Sequence, residues 1–214
     1  MDSQANFSST QFFSNTEILN GFFEKAQYAW EVLPQIEEFI RTFKDNPESK
    51  NYTEISENIF IGHNVVIDDT AKIKGVAIIG DNSIIGHAAF LRGGVIVGKN
   101  VNVGHATEVK HSIIMSNAAL AHLNYIGDSI VGASCNISGG ATLANWRFDK
   151  KEIEIKNGDN RIPTGMDKFG AIVGDGCFVG VSAVLNPGTV LGKDCLVFPL
   201  VSVSGTYPAS SKIK

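Results

Sequence analysis

The 214-residue sequence has no block of like charges and no long apolar run, and each absence excludes a class of function. It has 18 lysine and arginine residues against 22 aspartate and glutamate residues, a net charge of -4 without a basic arm or patch, which argues against nucleic acid and membrane surfaces as partners. No predominantly apolar run approaches the roughly 20 residues of a spanning helix. The start of the chain also lacks a basic segment followed by an apolar one, so no secretory signal is indicated. We therefore expect a soluble cytoplasmic protein with one main domain.

Cysteine is scarce as well. The three cysteines, Cys135, Cys177 and Cys195, are odd in number and include no CxxC pair. This spacing fits neither a disulfide framework nor a zinc ribbon. We expect the three side chains to fill space in a core.

The sequence does contain a six-residue repeat. Aliphatic residues recur every six positions, and a small or β-branched residue follows four positions after nearly every one of them. The repeat slips by one residue before positions 114 and 131 and resumes at position 173. Its first unbroken series is Ile61, Ile67, Ile73, Ile79, Ile85, Leu91, Val97, Val103 and Val109. Two inward-facing positions per hexapeptide follow from this pattern.

A period of six indicates very short strands joined by sharp corners. A helix would need a spacing near 3.6, and a simple strand would alternate with a period of two. Glycine, asparagine and aspartate follow many of the aliphatic residues and permit tight turns. Three hexapeptides make one triangular coil, so that residues about 18 apart stack on each other. The repeat resembles that of the left-handed parallel β-helix family, so we predict a mainly β fold of this kind, with its hand taken from the resemblance.

Two segments interrupt the repeat. Residues 1–50 place apolar side chains at helical spacing up to Pro34 and again after it, which predicts an amphipathic helical hairpin that caps the first coil or packs on another subunit. Residues 146–170 are charged and are expected to form an excursion from the prism. The chain is thus divided into an N-terminal helical segment, 1–50, and a β-helix domain, 51–214. The apolar residues of the helical segment are Ile18, Leu19, Phe22, Phe23, Ala26, Ala29, Trp30, Leu33, Ile36, Phe39, Ile40 and Phe43.

Five short motifs carry polar residues that packing within the repeat does not explain. They are AAFLRGG (88–94), HATEVK (105–110), HLNYIGD (122–128), NISGG (136–140) and NWRFDKK (145–151). Together they resemble the acetyltransferase half of the bifunctional glucosamine-1-phosphate acetyltransferase/N-acetylglucosamine-1-phosphate uridylyltransferase family, over most of residues 60–204. ANWRFDKK and the later GAIVGDG are especially similar to archaeal members, which also acetylate galactosamine 1-phosphate. Residues 1–50 cannot supply the Gly-rich nucleotide loop of the family's other domain, so uridylyl transfer is not expected.

The resemblance implies a role for each matching residue on the side of the sugar. His122 matches the general base, which takes a proton from the amine of the sugar as its nitrogen attacks the thioester carbonyl of acetyl-CoA. Arg92 and Lys110 match residues that hold the sugar phosphate, and the single coil between them places both on one face. The further sugar-phosphate contacts are Tyr125, Asn136 and Lys151, or Lys150 in place of Lys151.

On the side of acetyl-CoA, the cosubstrate, the resemblance implies that Asn145 and Trp146 lie beside the pantetheine and acetyl group. Gly139 matches a backbone contact near the thioester, and Val181 stands where the bacterial enzymes have a serine that contacts CoA. Members of the family bind CoA in a cleft between adjacent subunits, which implies a homotrimer. The implied reaction is N-acetylation of a small-molecule substrate, glucosamine or galactosamine 1-phosphate, without a metal ion.

Three alternatives stay open. His87, His105 and His122 could bind zinc as in γ-type carbonic anhydrases, which share the fold, although the closely spaced final histidine pair of that family is missing. A second alternative is a non-catalytic trimeric module that senses a ligand, although a pure scaffold does not need a base facing two cations. Other hexapeptide acetyltransferases, acting on serine or on sugar hydroxyls, are the third.

Overall fold

A computed structural model describes residues 7–16 and 19–214 of the chain. Short helices occupy the chain up to position 51, and a long series of very short strands follows them. Ile18 of the predicted helical segment lies outside the described residues, as do positions 1–6. In the described part of the chain, no helix has the length and apolar character needed to cross a membrane.

The N-terminal segment is a series of short helices. Its α-helices are α1 (Ser9–Phe12), α2 (Asn20–Phe23) and α3 (Ile36–Arg41), and its 3-10 helices span Ala29–Gln35, Phe43–Asp45 and Pro47–Asn51. Pro34 lies within the first 3-10 helix and removes a backbone donor there, which disfavours a continuous α-helix through this region. The predicted helical character is confirmed, whereas the predicted simple two-helix hairpin is wrong.

The rest of the chain consists of strands, most of them only two to four residues long. The strands are β1 (Thr53–Ser56), β2 (Ile59–Ile61), β3 (Val66–Ile67), β4 (Lys72–Lys74), β5 (Ala77–Ile79), β6 (Ile84–Ile85), β7 (Phe90–Val97), β8 (Asn102–His105), β9 (Glu108–Ile114), β10 (Ala119–His122), β11 (Tyr125–Gly127), β12 (Ile130–Val131), β13 (Asn136–Ile137), β14 (Thr142–Leu143), β15 (Glu154–Asn157), β16 (Asn160–Pro163), β17 (Ala171–Val173), β18 (Phe178–Val179), β19 (Val184–Leu185), β20 (Thr189–Leu191), β21 (Leu196–Val197), β22 (Ser202–Val203), β23 (Thr206–Tyr207) and β24 (Lys212–Ile213).

The strands form the three faces of a prism. Face 1 is a parallel sheet in the order β24-β21-β18-β13-β10-β8-β6-β3. Face 2 contains β4, the first parts of β7 and β9, then β11, β14, β19 and β22; face 3 contains β2, β5, the last parts of β7 and β9, then β12, β17, β20 and β23. Val103 pairs with Ile85, 18 residues before it, and with Leu120, 17 residues after it. The predicted left-handed parallel β-helix of hexapeptide repeats with an N-terminal helical segment is confirmed.

The predicted excursion leaves the prism between β14 and β17. Across it the paired residues are 42 positions apart, as with Leu143 and Leu185. β15 and β16 form an antiparallel hairpin within it, and β15 contacts β20 and β23 of face 3. Ile153 and Ile155 are buried there, so the inserted residues fold back onto the prism.

Two hydrophobic cores result. The inward residues of the three faces form the first core, in which the predicted series from Ile79 to Val109 is fully buried. Cys135, Cys177 and Cys195 are buried in the same core with free thiols, as predicted for core-filling side chains.

The second core joins the N-terminal segment to face 3. Trp30 and Phe43 are each 1% exposed in it, and Nε2 of His111 lies 2.8 Å from the carbonyl oxygen of Leu33. The outward aliphatic residues of face 3 in this core, which also includes residues of the excursion, are at most 1% exposed: Ile78, Ile96, Ile113, Ile130, Ile172 and Val190. The segment therefore covers several coils of its own chain, more than the expected cap on the first coil.

Candidate active site

The corner between faces 1 and 2 carries the predicted base. β10 ends at His122 and β11 begins at Tyr125, so the two residues lie on either side of this corner. Leu123 turns the chain with a φ of 55°. Asn124 is 3% exposed, and its Nδ2 donates to the carbonyl oxygen of Ser138 at 2.7 Å. A buried amide therefore holds the corner and fixes the positions from which His122 and Tyr125 project.

His122 lies at the edge of an open groove of about 500 Å³, the His122 groove. Its imidazole lies against the next coil: a Cβ on Gly139 would lie 2.5 Å from Nε2 of His122, so a larger residue there would displace the ring. Within residues 7–16 and 19–214 no group hydrogen-bonds to the imidazole, which leaves its nitrogens available to a ligand. The groove is lined by Ala121, His122, Leu123, Asn136, Ser138, Gly139, Gly140, Val181 and Ser182. It thus brings together the predicted residues His122, Asn136 and Gly139, with Val181 opposite.

Arg92 and Lys110 stand side by side on face 2, where β7 and β9 pair in register. Nε of Arg92 donates to Oε1 of Glu108 at 2.6 Å, and Nζ of Lys110 donates to Oδ2 of Asp128 at 2.6 Å. Lys74 pairs in register with Arg92 in the preceding coil. The group of Arg92, Glu108, Lys110 and Asp128, here called the cation cluster, is electrically balanced without a ligand. A bound phosphate would have to share both cations with these carboxylates.

Tyr125 and Asn145 adjoin the cation cluster. Their side chains meet beside Gly127, where a Cβ would lie 2.7 Å from the Tyr125 hydroxyl and 2.8 Å from Cγ of Asn145. Asn145 is 9% exposed, and its Nδ2 donates to Oδ2 of Asp128. Burial raises the pKa of Tyr125 above its usual value, and the carboxylates of Asp128 and Glu108 raise it further. The phenol is therefore neutral near pH 7 and able to donate a hydrogen bond.

Trp146 and Lys151 lie in the excursion, where Trp146 directly follows Asn145. Trp146 is 45% exposed and forms a backbone bridge with Lys168. Lys151 is exposed beside Asp149, whose carboxylate pairs with Arg147 at 2.6 Å. Within the described part of the chain, neither side chain hydrogen-bonds to the His122 groove or to the cation cluster. The predicted roles of Trp146 and of Lys151, or of Lys150, stay predictions, as do those of the other site residues.

Three residues of the site were not singled out from the sequence: Asn124, Glu108 and Asp128. The repeat slips by one residue between Lys110 and Asp128, so Lys110 is in register with Gly127 and Asp128 is the next residue along the chain. Glu108 lies two positions before Lys110 on the same strand, and alternate residues of a strand share one side. The repeat therefore contained the signal for Glu108 and placed Asp128 one residue past the position in register with Lys110, but it did not specify the two ion pairs.

His87, His105 and His122 occupy successive coils on one edge, with His105 and His122 in register. The rings of His87 and His105 stack with their centroids 5.1 Å apart and their planes 7° apart. Nδ1 of His87 lies 2.6 Å from Oγ1 of Thr70, and Nδ1 of His105 lies 3.1 Å from the carbonyl oxygen of His87. Nδ1 of each of these two rings is therefore already in a hydrogen-bonding contact, and the two rings lie parallel. Within the described residues, no group of three or more His, Cys, Asp or Glu side chains is placed to hold a metal ion.

Known proteins resemble this chain in sequence and in structure. Residues 73–158 match the family described as the GMPPB C-terminal domain. The bifunctional protein GlmU of Methanococcus maripaludis (strain C7) is 44% identical over 185 residues, which cover 84% of this chain and 44% of that protein. The bifunctional sugar-1-phosphate nucleotidylyltransferase/acetyltransferase of Sulfurisphaera tokodaii is 35% identical over 91 residues, 42% of this chain and 23% of that protein. Among solved structures, the UDP-N-acetylglucosamine acyltransferase from Campylobacter jejuni has a TM-score of 0.47 and 17% identity, over 72% of this chain and 66% of that one.

The match to the GlmU protein includes most of the chain, and the family match begins in β4 and ends just after β15. The chain spans less than half of the length of the curated relatives that it matches. The resemblance predicted from the five motifs is confirmed: over most of its length, this chain is similar in sequence to bifunctional proteins named GlmU.

Proposed function

We propose that the protein is an acetyl-CoA-dependent N-acetyltransferase whose substrate is glucosamine 1-phosphate or galactosamine 1-phosphate. One observation carries the proposal: the unengaged imidazole of His122 stands at the edge of an open groove, and two cations lie in register on the adjacent face. Amine acylation on a phosphorylated sugar needs a base, room for the thioester and a site for the phosphate. The name of the Sulfurisphaera tokodaii relative joins sugar 1-phosphates with acetyl transfer, which supports the proposal.

In the proposed reaction, the neutral amine of the sugar attacks the carbonyl carbon of acetyl-CoA. A C–N bond forms, the C–S bond breaks, and CoA leaves as a thiolate. Nε2 of His122 takes the proton that the nitrogen loses and returns it to the thiolate, so the enzyme ends in its initial protonation state. The missing side chain of Gly139 leaves space for the ring of His122, which keeps the base in the groove.

Arg92 and Lys110 would bind the phosphate of the sugar, with Tyr125 and Asn136 as contacts to the rest of it. A phosphate dianion competes with Glu108 for one cation and with a neighbouring carboxylate for the other. An unphosphorylated amino sugar has no anionic group that could replace the carboxylates in these ion pairs. We therefore expect a strong preference for the phosphorylated sugar. Lys151, or Lys150, belongs to the same proposed set.

Acetyl-CoA would lie along the His122 groove, beside Gly139, Asn145 and Trp146. Val181 is 51% exposed at this groove and offers it an apolar side chain. We also propose a homotrimer, because face 1 leaves apolar outward side chains exposed that a second copy would cover. These are Val66, Ile84, Phe178 and Leu196, which are 57%, 45%, 51% and 37% exposed. The cytoplasmic location stays a prediction.

The test measures thiol release from acetyl-CoA with glucosamine 1-phosphate, galactosamine 1-phosphate and each unphosphorylated amino sugar. We expect turnover with at least one phosphate, and a loss of at least about 100-fold in kcat for His122→Ala, because general base catalysis contributes on that scale. His105→Ala is the matched control, since His105 is exposed, in register with His122 and one coil away. It should retain activity within about threefold of the wild type.

Each other result has a definite meaning. Full activity in His122→Ala would remove the proposed base. Calorimetric binding of the sugar phosphate without any thiol release would favour the non-catalytic sensing module. Light scattering should give three copies per particle. A stable monomer with full activity would contradict the proposed homotrimer, in which CoA binds between adjacent subunits.

A further inference from the structure

We propose that Asp128 is a positioning residue that couples the two substrates, so that binding of the sugar phosphate strengthens binding of CoA. The inference rests on the proposed function, in which Lys110 belongs to the phosphate site and Asn145 to the CoA site. Asp128 contacts both of these residues and would touch neither substrate itself.

Asp128 lies where the two predicted sites meet. Its side chain is 8% exposed and that of Lys110 is 17% exposed, so solvent screens the pair little. Nζ of Lys110 and Nδ2 of Asn145 both donate to the same oxygen, Oδ2 of Asp128. Two donors from different predicted sites therefore share one acceptor atom.

The backbone holds this carboxylate in place. Asp128 has a φ of 44°, a left-handed conformation that aspartate and asparagine tolerate better than most residues. Its N–H donates to the carbonyl oxygen of Lys110 at 2.8 Å, and its own carbonyl oxygen accepts from Gly170 N–H at 2.9 Å. Because its main chain is anchored on both sides, Asp128 responds to a ligand through its side-chain hydrogen bonds.

Because both donors share Oδ2 of Asp128, the coupling between the two substrates is expected to be positive. A phosphate dianion near Lys110 draws the ammonium group toward itself and weakens its hydrogen bond to Oδ2. The oxygen is then more available to Nδ2 of Asn145, whose amide is held more firmly where CoA would bind. By linkage, CoA strengthens the binding of the sugar phosphate by the same factor.

The test measures binding of CoA by calorimetry with and without saturating glucosamine 1-phosphate, a pair that cannot react because CoA lacks the acetyl group. In the wild type we expect CoA to bind about fivefold more tightly in the presence of the sugar phosphate, at the low end of typical couplings. In Asp128→Asn the ratio should fall to about one, because a neutral amide oxygen holds the ammonium group of Lys110 much more weakly than a carboxylate does, so that its withdrawal changes little at Asn145.

Glu108→Gln is the matched control. It removes a carboxylate from the other cation of the same cluster, since Glu108 pairs with Arg92. This variant should bind the sugar phosphate more tightly and keep the fivefold ratio for CoA. If the sugar phosphate no longer strengthens CoA binding in Glu108→Gln either, the specific role of Asp128 is overturned.

Lys110→Met provides a second variant in case Asp128→Asn fails to fold. With the ammonium group gone, Oδ2 serves Asn145 alone, so this variant should bind CoA about fivefold more tightly even without sugar phosphate. A residue with a merely structural role would not raise CoA affinity in this way. Unchanged CoA affinity in Lys110→Met, or a ratio that survives Asp128→Asn, would overturn the inference.

The inference and the proposed function can fail separately. A wild type that binds both ligands without any coupling overturns the role of Asp128 and leaves the acetyltransferase proposal intact. A wild type that binds neither CoA nor sugar phosphate overturns both.

Discussion

Faces 1 and 3 are built from the same hexapeptide, yet one is exposed and the other is buried. Inward residues are equally buried on both, as Val103 of face 1 and Val97 of face 3 show. The outward residues differ: Ile113 of face 3 is fully buried under the N-terminal segment, whereas Ile84 of face 1 is 45% exposed. The inward positions thus build the prism, and the outward positions decide what each face contacts.

The largest expected effect tests this difference directly. Ile113→Ala should lower the free energy of unfolding by about 3 kcal/mol, because it opens a cavity between face 3 and the N-terminal segment. Ile84→Ala, the same change on face 1, should cost less than about 1 kcal/mol because the side chain is half exposed. Urea unfolding followed by circular dichroism measures both variants. Equal losses would show that the covered face and the open face contribute alike to stability.

A smaller loss of stability is expected from a substitution at the corner that separates faces 1 and 2. Asn124→Ala removes a hydrogen bond to the carbonyl oxygen of Ser138 and the acceptor of the buried Thr107 hydroxyl, and should cost about 2 kcal/mol. Asn102→Ala, at an exposed outward position of face 1, is the control and should be nearly neutral. The same urea titration serves, and activity of the folded Asn124→Ala protein should fall as well because His122 projects from this corner. Wild-type stability in this variant would mean that Leu123 and its backbone turn hold the corner alone.

The interior of the prism was predictable because it depends on periodicity alone. An inward position such as Leu91 needs only an apolar side chain of suitable size, and the repeat of six identifies it without knowledge of any partner. The placement of the N-terminal segment was not predicted, although consecutive aliphatic pairs such as Ile78–Ile79 and Ile113–Ile114 recur along face 3. The second member of each pair points inward, and the first marks an outward side that needs a cover.

The sequence predicted which face carries the site residues, but it did not predict the ion pairs that they form. Stacking placed Arg92 and Lys110 on one face, as the structure has them. That both are held by carboxylates depends on side-chain rotamers, which no periodic pattern specifies. For the same reason, the six-residue repeat did not predict the contact of the His122 ring with Gly139.

That contact gives the next prediction. Gly139→Ala should lower kcat about tenfold with little loss of stability, because the added methyl group forces the His122 ring out of its position. Gly140→Ala should show the opposite pattern: its φ of 72° strains an alanine by about 1 kcal/mol, while its Cβ would meet Ser182 and not the histidine. Thermal melts and thiol-release kinetics on both variants separate the two effects. Equal kinetic losses would show that the groove tolerates no added bulk anywhere, whatever the position of His122.

The smallest expected effect concerns face 2, whose outward column is charged where that of face 3 is aliphatic. Lys74 lies in register with Arg92, one coil farther from Lys110. Lys74→Gln should weaken binding of glucosamine 1-phosphate only about twofold at low salt and not measurably at 1 M salt, because an exposed charge one coil away is screened. Lys212→Gln on face 1 is the control and should change nothing in the same calorimetric titration. Suppose instead that Lys74→Gln and Lys110→Met weaken binding of glucosamine 1-phosphate equally. The phosphate would then bind at Arg92, because Arg92 lies between the two lysines and a ligand there is equally near to both.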